Sequence, residues 1–109
     1  MGYVVDGVEL KTDEQGFLLE PDYRDEAVKV IAAAEGIELT DAHWEVVNFL
    51  RDEYKANGHT PNFRTMLKDV QAIRPGADSK ALYDLFPLEP AKQGAKVAGL
   101  PQPLGKGGY

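Results

Sequence analysis

Few side chains in this sequence could build a nucleophilic or metal site: two histidines, one serine and no cysteine. His43 and His59 lack the His-x-x-x-His and His-Glu-x-x-His spacings of metal motifs. We expect His43 to be a partly exposed residue of a first helical turn and His59 to lie in a loop. Ser79 has the sequence context of a helix cap, not of a nucleophile elbow. The absence of cysteine excludes disulfides, thiolate metal sites and cysteine nucleophiles. These observations predict no cofactor and no metal, and they disfavour an independent enzyme.

Carboxylates are abundant, but their spacing does not favour general acid–base chemistry. The adjacent pairs Asp13-Glu14, Asp25-Glu26 and Asp52-Glu53 would diverge on a helix, so we interpret them as solvated faces. The formal net charge is −6 and the pI is about 4.8, which disfavours a general binder of phosphate backbones. Residues 1–55 carry 5 Lys+Arg against 14 Asp+Glu, and residues 56–109 carry 7 against 4. This asymmetry indicates two faces with different partners, or simply acidic residues that keep a small domain soluble.

The length of 109 residues fits one domain. Near its start, Asp6-Gly7 separates Tyr3-Val4-Val5 from Val8-Glu9-Leu10, a pattern typical of a β-hairpin with a tight turn. A lone hairpin is marginally stable, so we expect it to pack on helices. After Gly16, Phe17-Leu18-Leu19 either extends this sheet or leads the chain out of it. No apolar run reaches the roughly 20 residues of a membrane span and the first residues lack a signal-peptide pattern, so we expect a cytoplasmic protein.

Capping residues and apolar periodicity predict helices in the rest of the chain. The first helix covers about residues 23–35, with Asp22 as its N-cap and Gly36 as its stop. Its predicted apolar stripe consists of Ala27, Val30, Ile31 and Ala34. The second helix covers about residues 41–56 after Thr40 as N-cap, and its apolar residues are too widely spread for one stripe. We therefore expect the second helix to be the most buried of the domain.

Further helices are expected in the second half of the sequence. Thr60-Pro61 starts the third helix as an N-cap followed by a proline in the first turn. Asp78 or Ser79 caps a short fourth helix, and residues 91–98 favour one more short helix. From Gly99 onward the chain contains four glycines and two prolines, a composition with little to bury. We therefore divide the chain into a domain of residues 1–98 and a flexible C-terminal arm of residues 99–109.

The second and third helices, with the short link between them, are similar to a helix-turn-helix. Arg64 and Lys68 lie one turn apart on the third helix, and Arg74 follows it. These three residues are the candidate nucleic-acid contacts, and they give the alternative function of a DNA-binding transcriptional regulator. Two packed helices with a short link are also common in ordinary all-α domains, so the pattern does not decide between the two interpretations.

Several segments together resemble the DsrC/TusE family, also described as dissimilatory sulfite reductase gamma subunits. In chain order they are Asp13-Glu14-Gln15-Gly16-Phe17-Leu18, Glu38-Leu39-Thr40 with His43-Trp44-Glu45-Val46-Val47-Asn48-Phe49-Leu50-Arg51, Leu82-Tyr83-Asp84-Leu85-Phe86-Pro87, and Pro90-Ala91-Lys92-Gln93 leading into Ala98-Gly99-Leu100-Pro101-Gln102-Pro103. The Gly-Leu-Pro-x-Pro arm is the most distinctive, and the segments cover nearly the whole chain in order. The resemblance implies a mainly α fold: a small orthogonal helical bundle with a helix-turn-helix-like core, an N-terminal β-hairpin and a flexible C-terminal arm.

The resemblance also implies a chemistry that this sequence lacks. Members of the family carry persulfide sulfur on a cysteine near the end of the arm, in tRNA thiolation or with dissimilatory sulfite reductase, and some have a second cysteine earlier. Here Lys106 stands where the near-terminal cysteine belongs, and Ala95 where the second one would be. A lysine amine cannot form a persulfide, because sulfur exchange needs a thiolate as nucleophile and leaving group.

The family-like arm and the missing thiols predict a regulatory or partner-binding paralog of sulfur metabolism that is not an enzyme. It would dock on sulfur-relay or sulfite reductase proteins, with no membrane partner. The candidate docking residues are Gly99, Leu100, Pro101, Gln102, Pro103 and Lys106. One alternative is that Lys106 is itself functional, as a modification site or as a charge that mimics a loaded arm. The other is that it is an ordinary exposed lysine.

Overall fold

A computed structural model describes residues 2–103, which form an antiparallel hairpin followed by five helices. The strands are β1 (Gly2–Val5) and β2 (Val8–Lys11), and the helices are α1 (Asp25–Ala34), α2 (Asp41–Asn57), α3 (Phe63–Ile73), α4 (Ser79–Leu85) and α5 (Pro90–Val97). The predicted fold class, mainly α with an N-terminal hairpin, is confirmed. No helix in this part of the chain is both long enough and apolar enough to cross a bilayer.

The hairpin forms as its turn residues predict. Val5 lies opposite Val8, and φ is positive at both turn residues, 51° at Asp6 and 79° at Gly7. Two positive φ angles are what a two-residue turn of type I′ requires. β1 packs against α1, which supplies the helical support that the short hairpin needs.

The segment after the hairpin leads into the core instead of adding a strand. A single antiparallel bridge joins Thr12 to Leu18. Phe17 and Leu18 are buried in the main apolar cluster. The open choice between extending the sheet and leaving it is therefore resolved in favour of leaving it.

The predicted start of α1 is wrong by two residues, because Asp22 has another partner. The N-cap is Arg24, which makes no side-chain cap bond. The Asp22 carboxylate instead accepts hydrogen bonds from the backbone N–H of Arg24 at 3.0 Å and from its guanidinium at 2.8 Å. The Asp22 carboxylate thus bonds to the N-cap residue Arg24 and not to an N–H of the first helical turn.

The buried face of α1 also differs from the predicted stripe. It consists of Ala27, Val28, Ile31 and Ala32. Val30 is half-buried and Ala34 is exposed. Small apolar residues occupy several sides of α1, so the sequence alone does not fix which side is buried. The buried side is the one that packs against β1 and α5. The predicted end is confirmed, since Gly36 follows α1 with a φ of 72°.

α2 begins with the predicted cap. The Thr40 hydroxyl accepts from the backbone N–H of His43, and the backbone N–H of Thr40 donates to Nδ1 of His43 at 3.0 Å. This reciprocal pair is a capping box in which histidine replaces the usual glutamate. Because Nδ1 accepts from that N–H, Nε2 carries the proton, and it donates to the Leu85 carbonyl at 2.9 Å.

The expectation that His43 is partly exposed is wrong. Its exposure is 6%, because the end of α4 covers it. The ring lies edge-on to Phe86, with centroids 5.3 Å apart. His43 is therefore a structural link between the start of α2 and the end of α4.

The expectation that α2 is the most buried helix is also wrong, since α5 has that position. Five of the 17 residues of α2 are buried, against six of the eight residues of α5. α5 contacts α1, α2, α3 and α4. Gly94 allows α5 to pack closely against α2, because a Cβ at position 94 would lie 3.1 Å from Cδ1 of Leu50.

The third and fourth helices begin at polar caps. The predicted cap Thr60-Pro61 of α3 is wrong by two residues: Asn62 is the N-cap, and its side chain accepts from the Thr65 N–H at 2.9 Å. Thr60 is instead buried, at 2% exposure. For α4, Asp78 is the cap, as one of the two predicted alternatives. α2, the link 58–62 and α3 form the predicted helix-turn-helix-like unit.

Candidate docking site at the root of the C-terminal arm

The chain leaves α5 through a Schellman motif that fixes the first residues of the arm. The N–H of Leu100 donates to the Ala95 carbonyl and that of Gly99 to the Lys96 carbonyl, each at 3.1 Å. Gly99 has a φ of 79°, the left-handed conformation that this motif needs at its turning residue. Leu100 is fully buried in the apolar cluster. The expectation that the arm has little to bury from Gly99 onward is therefore wrong for these two residues.

A second connection holds the arm root, the residues Gly99 and Leu100, to the loop before α1. The backbone N–H of Asp22 donates to the Gly99 carbonyl at 2.8 Å. A Cβ added at Gly99 would lie 2.5 Å from the Asp22 carbonyl oxygen. Position 99 therefore requires glycine twice, for its φ angle and for this close approach.

Asp22 is itself held in place by charge. Hydrogen bonds from Arg24 are the main reason why its pKa lies below the usual range, and partial burial opposes this shift. The charge of Arg51 lowers the pKa of Asp22 further. The side chain that orients the Asp22 backbone is thus ionised and paired at neutral pH.

Past Leu100, the arm lies on the surface beside the C-terminal end of α2. Pro101, Gln102 and Pro103 are half-buried, and Nε2 of Gln102 donates to Oε1 of Gln15 at 2.8 Å. A cavity of about 100 Å³ separates these three residues from Tyr54 and His59. The described part of the arm is thus bonded to Gln15 on one side and borders the cavity at the end of α2 on the other.

Of the two positions where the family's cysteines would stand, the structure describes one. Ala95 is fully buried on α5 within the apolar cluster. Lys106 and the expected arm beyond Pro103 lie outside the described residues. The structure thus brings Gly99, Leu100, Pro101, Gln102 and Pro103 together as one surface segment with a buried root.

The two histidines lie apart and make different local contacts. His43 is committed to the capping box, and the exposed His59 contacts the Thr60 carbonyl at 3.3 Å. Within residues 2–103, no three His, Asp or Glu side chains lie close enough together to hold a metal ion.

The basic residues proposed to contact nucleic acid do not form a free basic surface. Arg64 and Lys68 are exposed on α3, but Arg74 is ion-paired with Glu45 of α2. Asp69 follows Lys68 directly and reduces the local positive charge. The DNA-binding hypothesis is not supported by this arrangement.

Sequence reasoning missed the residues that hold the arm root. Gln15 and Asp22 act through a side-chain amide and a backbone N–H, and neither carries a motif that predicts such a contact. Arg51 is a further buried charge, at 6% exposure, whose Nη1 donates to Oδ1 of Asp25 at 2.9 Å. The only indication in the sequence was that Arg51 directly follows the apolar residue Leu50 in a helix expected to be largely buried.

The model of the family described as "DsrC like protein" matches residues 4–105, which includes most of the hairpin, helices α1 to α5 and the arm root. The chain belongs to this family. Its membership covers the packed arm segment as well as the helical domain, so the arm root described above is part of the family's common sequence region.

Individual members of the DsrC-like family are similar over almost their whole length. The chain is 46% identical over 103 residues to a protein of Haemophilus influenzae named sulfurtransferase TusE homolog, covering 91% of this chain and 94% of that protein. The solution structure of DsrC from Allochromatium vinosum superposes with a TM-score of 0.84 at 39% identity, covering 93% of each chain. The oxidized gamma-subunit of dissimilatory sulfite reductase from Archaeoglobus fulgidus gives a TM-score of 0.84 at 34% identity, covering 94% of this chain and 97% of that chain. These two solved structures share the fold of this chain.

Proposed function

We propose that this DsrC/TusE-family chain binds sulfur-relay or sulfite reductase proteins through its arm and carries no sulfur itself. It would act as a regulatory protein that competes with a cysteine-bearing relative for the same partner. One observation carries the proposal: the arm root is held by backbone hydrogen bonds and by the burial of Leu100 in a chain with no cysteine. The docking element is thus maintained without the group that would make it a carrier.

The chemistry of the arm supports the second half of the proposal. Persulfide transfer requires a sulfur atom that attacks, holds and then releases the cargo sulfur. Ala95 has no heteroatom, and Lys106 has an amine whose nitrogen cannot take the place of sulfur in that exchange. We therefore infer that the chain is not a sulfurtransferase, although relatives are named as such.

The packing of the arm supports the first half. Burial of Leu100 and the bond from Asp22 to Gly99 fix the direction in which the arm leaves the domain. Fixing a binding segment at its root lowers the conformational entropy that docking would otherwise cost. The arm is in this respect prepared to bind a partner, and we expect that partner in the cytoplasm.

A pull-down tests the binding claim. The tagged chain is incubated with purified dissimilatory sulfite reductase and, separately, with purified sulfur-relay proteins that bind a TusE relative. We expect the chain to retain at least one of them, and a variant truncated after Leu100 to retain none. Equal recovery with the full and truncated chains would show that the arm is not the docking element.

Intact-mass measurement tests the chemical claim. After incubation with a persulfide donor, the chain should show no stable gain of a sulfur atom. A Lys106→Cys variant is the matched control, because it restores a thiol at the position that the family pattern assigns to the carrier. A sulfur adduct on the unmodified chain would contradict the proposal.

A further inference from the structure

The loop between α4 and α5 presents a leucine to solvent at the tip of a tight turn. The N–H of Glu89 donates to the Phe86 carbonyl at 3.3 Å, so Pro87 and Leu88 occupy the two central positions of the turn. Leu88 is 75% exposed, more than the other large apolar side chains exposed within residues 2–103. A single exposed leucine is ordinary on a protein surface, so the backbone around it is the decisive observation.

That backbone is strained at the next residue. Glu89 has φ 145° and ψ 107°, a conformation that glycine adopts readily and a residue with a Cβ avoids. Strain of this kind persists only where the surroundings impose it, and it is concentrated at functional segments. The strained residue Glu89 and the exposed Leu88 are adjacent in the chain.

A buried glutamine holds the turn in this conformation. Oε1 of Gln93 accepts from the Leu88 N–H at 2.9 Å, and Nε2 of Gln93 donates to Oε1 of Glu35 at 3.1 Å. Gln93 is only 4% exposed, and Glu35 also lies 3.6 Å from Nζ of Lys96. This polar chain ties the turn to α1 and α5, so Leu88 is presented by a rigid support.

Leu88 lies on the same side of the molecule as the arm root. A cavity of about 160 Å³ is bordered by Leu88, by Phe17 and by Gln15. Gln15 is the residue that binds Gln102 of the arm. Lys92, exposed on the first turns of α5, borders the same cavity. A protein that binds the arm therefore meets Leu88 and Lys92 as it approaches.

We propose that Leu88 is a second docking point, an anchor that inserts into an apolar pocket of the protein that binds the arm. The pocket would be wide enough for one leucine side chain and would carry an acidic group opposite Lys92. This inference rests on the proposed function, because the arm's partner is taken to be the occupant. The preformed turn contributes affinity since little freedom is lost when Leu88 enters its pocket.

The test compares two exposed leucines. Affinity is measured by titration calorimetry for purified dissimilatory sulfite reductase and for a purified sulfur-relay partner of a TusE relative. Leu88→Ala should weaken binding about tenfold, the loss typical of an anchor side chain at an interface. Leu19→Ala is the matched control: Leu19 is 57% exposed and does not border the cavity, so its affinity should stay at the wild-type value. Leu88→Met should retain most of the affinity, because it keeps the apolar volume.

The outcomes separate this inference from the function on which it rests. If the unmodified chain binds a probe and Leu88→Ala binds it equally well, the anchor is refuted and the proposed function stands. Equal losses in Leu88→Ala and Leu19→Ala would also refute it, because they would indicate a general loss of exposed apolar area. Binding of the unmodified chain to neither probe would overturn both proposals.

Discussion

Replacing Gly99 with alanine tests the geometry of the arm root, because the structure predicts how much unfolding free energy the variant should lose. A methyl group at position 99 has two costs. Alanine in the left-handed region costs about 1–2 kcal/mol, partly offset by about 0.4–1 kcal/mol from the stiffer unfolded chain. The methyl would also lie 2.5 Å from the Asp22 carbonyl oxygen, which forces the two backbones apart.

Separating them breaks the bond from the Asp22 N–H to the Gly99 carbonyl. Losing a backbone hydrogen bond and leaving its groups poorly paired costs about 1–3 kcal/mol. The total for Gly99→Ala, after the offset from the unfolded chain, is then about 1–4.5 kcal/mol of unfolding free energy. For a domain of this size that corresponds to a Tm lower by about 5–35 °C.

Gly36 supplies the matched control. Its φ of 72° is close to that of Gly99, and a Cβ there would have no neighbour within 4 Å. Gly36→Ala should therefore show only the small net cost of the left-handed conformation, about 0–1.5 kcal/mol. Both variants are measured by urea unfolding, with Trp44 fluorescence and circular dichroism as coincident probes of a two-state transition. Equal destabilisation of the two variants would refute the close approach between Gly99 and Asp22.

Three further changes test other parts of the structure. Glu89→Gly relieves a strain of about 1–3 kcal/mol at an entropy cost of about 0.5–1 kcal/mol, so we expect a higher Tm in calorimetry, and a lower Tm would contradict the strained turn. The pKa of Asp22 is lowered chiefly by hydrogen bonds from Arg24. The stability that the ionised Asp22 contributes is therefore present above the unfolded-state pKa of about 3.9, and it is lost as the pH falls through the lower folded-state pKa. Asp22→Asn should therefore destabilise the protein at pH 7 and differ less from wild type as the pH drops below about 4, and a pH-independent difference in urea unfolding would contradict this. His43→Ala removes a buried imidazole with bonds at both nitrogens and should lower the unfolding free energy by about 2–4 kcal/mol in the same assay. His59 is exposed, so His59→Ala should change stability little. Equal effects of the two variants would contradict the capping box.

Local features of the fold could be predicted because neighbouring residues decide them. Asp6-Gly7 specifies a tight turn through its own φ preferences, and Thr40 and Asp78 cap the helices that follow them. These predictions needed no knowledge of the rest of the chain. Where a local residue has a competing partner, as Asp22 has in Arg24, the same reasoning put the helix start two residues too early.

Features that depend on tertiary packing could not be predicted. α5 is composed of small and polar residues, so its burial follows from the four helices around it and not from its own apolar content. The arm root is similar: Leu100 stands in a segment of glycines and prolines, yet it is fully buried. Its polar contacts with Asp22 and Gln15 join segments far apart in sequence, and no periodicity indicates them.

The resemblance to the DsrC/TusE family gave the part of the site that residue chemistry alone could not give. Without it, the absence of cysteine says only that thiol chemistry is excluded. With it, the positions of Ala95 and Lys106 acquire a meaning. The docking element that we propose is therefore the segment from Gly99 to Pro103.

Competition with a cysteine-bearing relative tests the central claim most directly. A TusE or DsrC protein loaded with persulfide sulfur is mixed with its purified partner, and sulfur transfer is followed while this chain is titrated in. We predict that transfer falls as the chain is added and that no sulfur appears on the chain. Transfer that is unaffected by an excess of the chain, or sulfur found bound to it, would contradict the account.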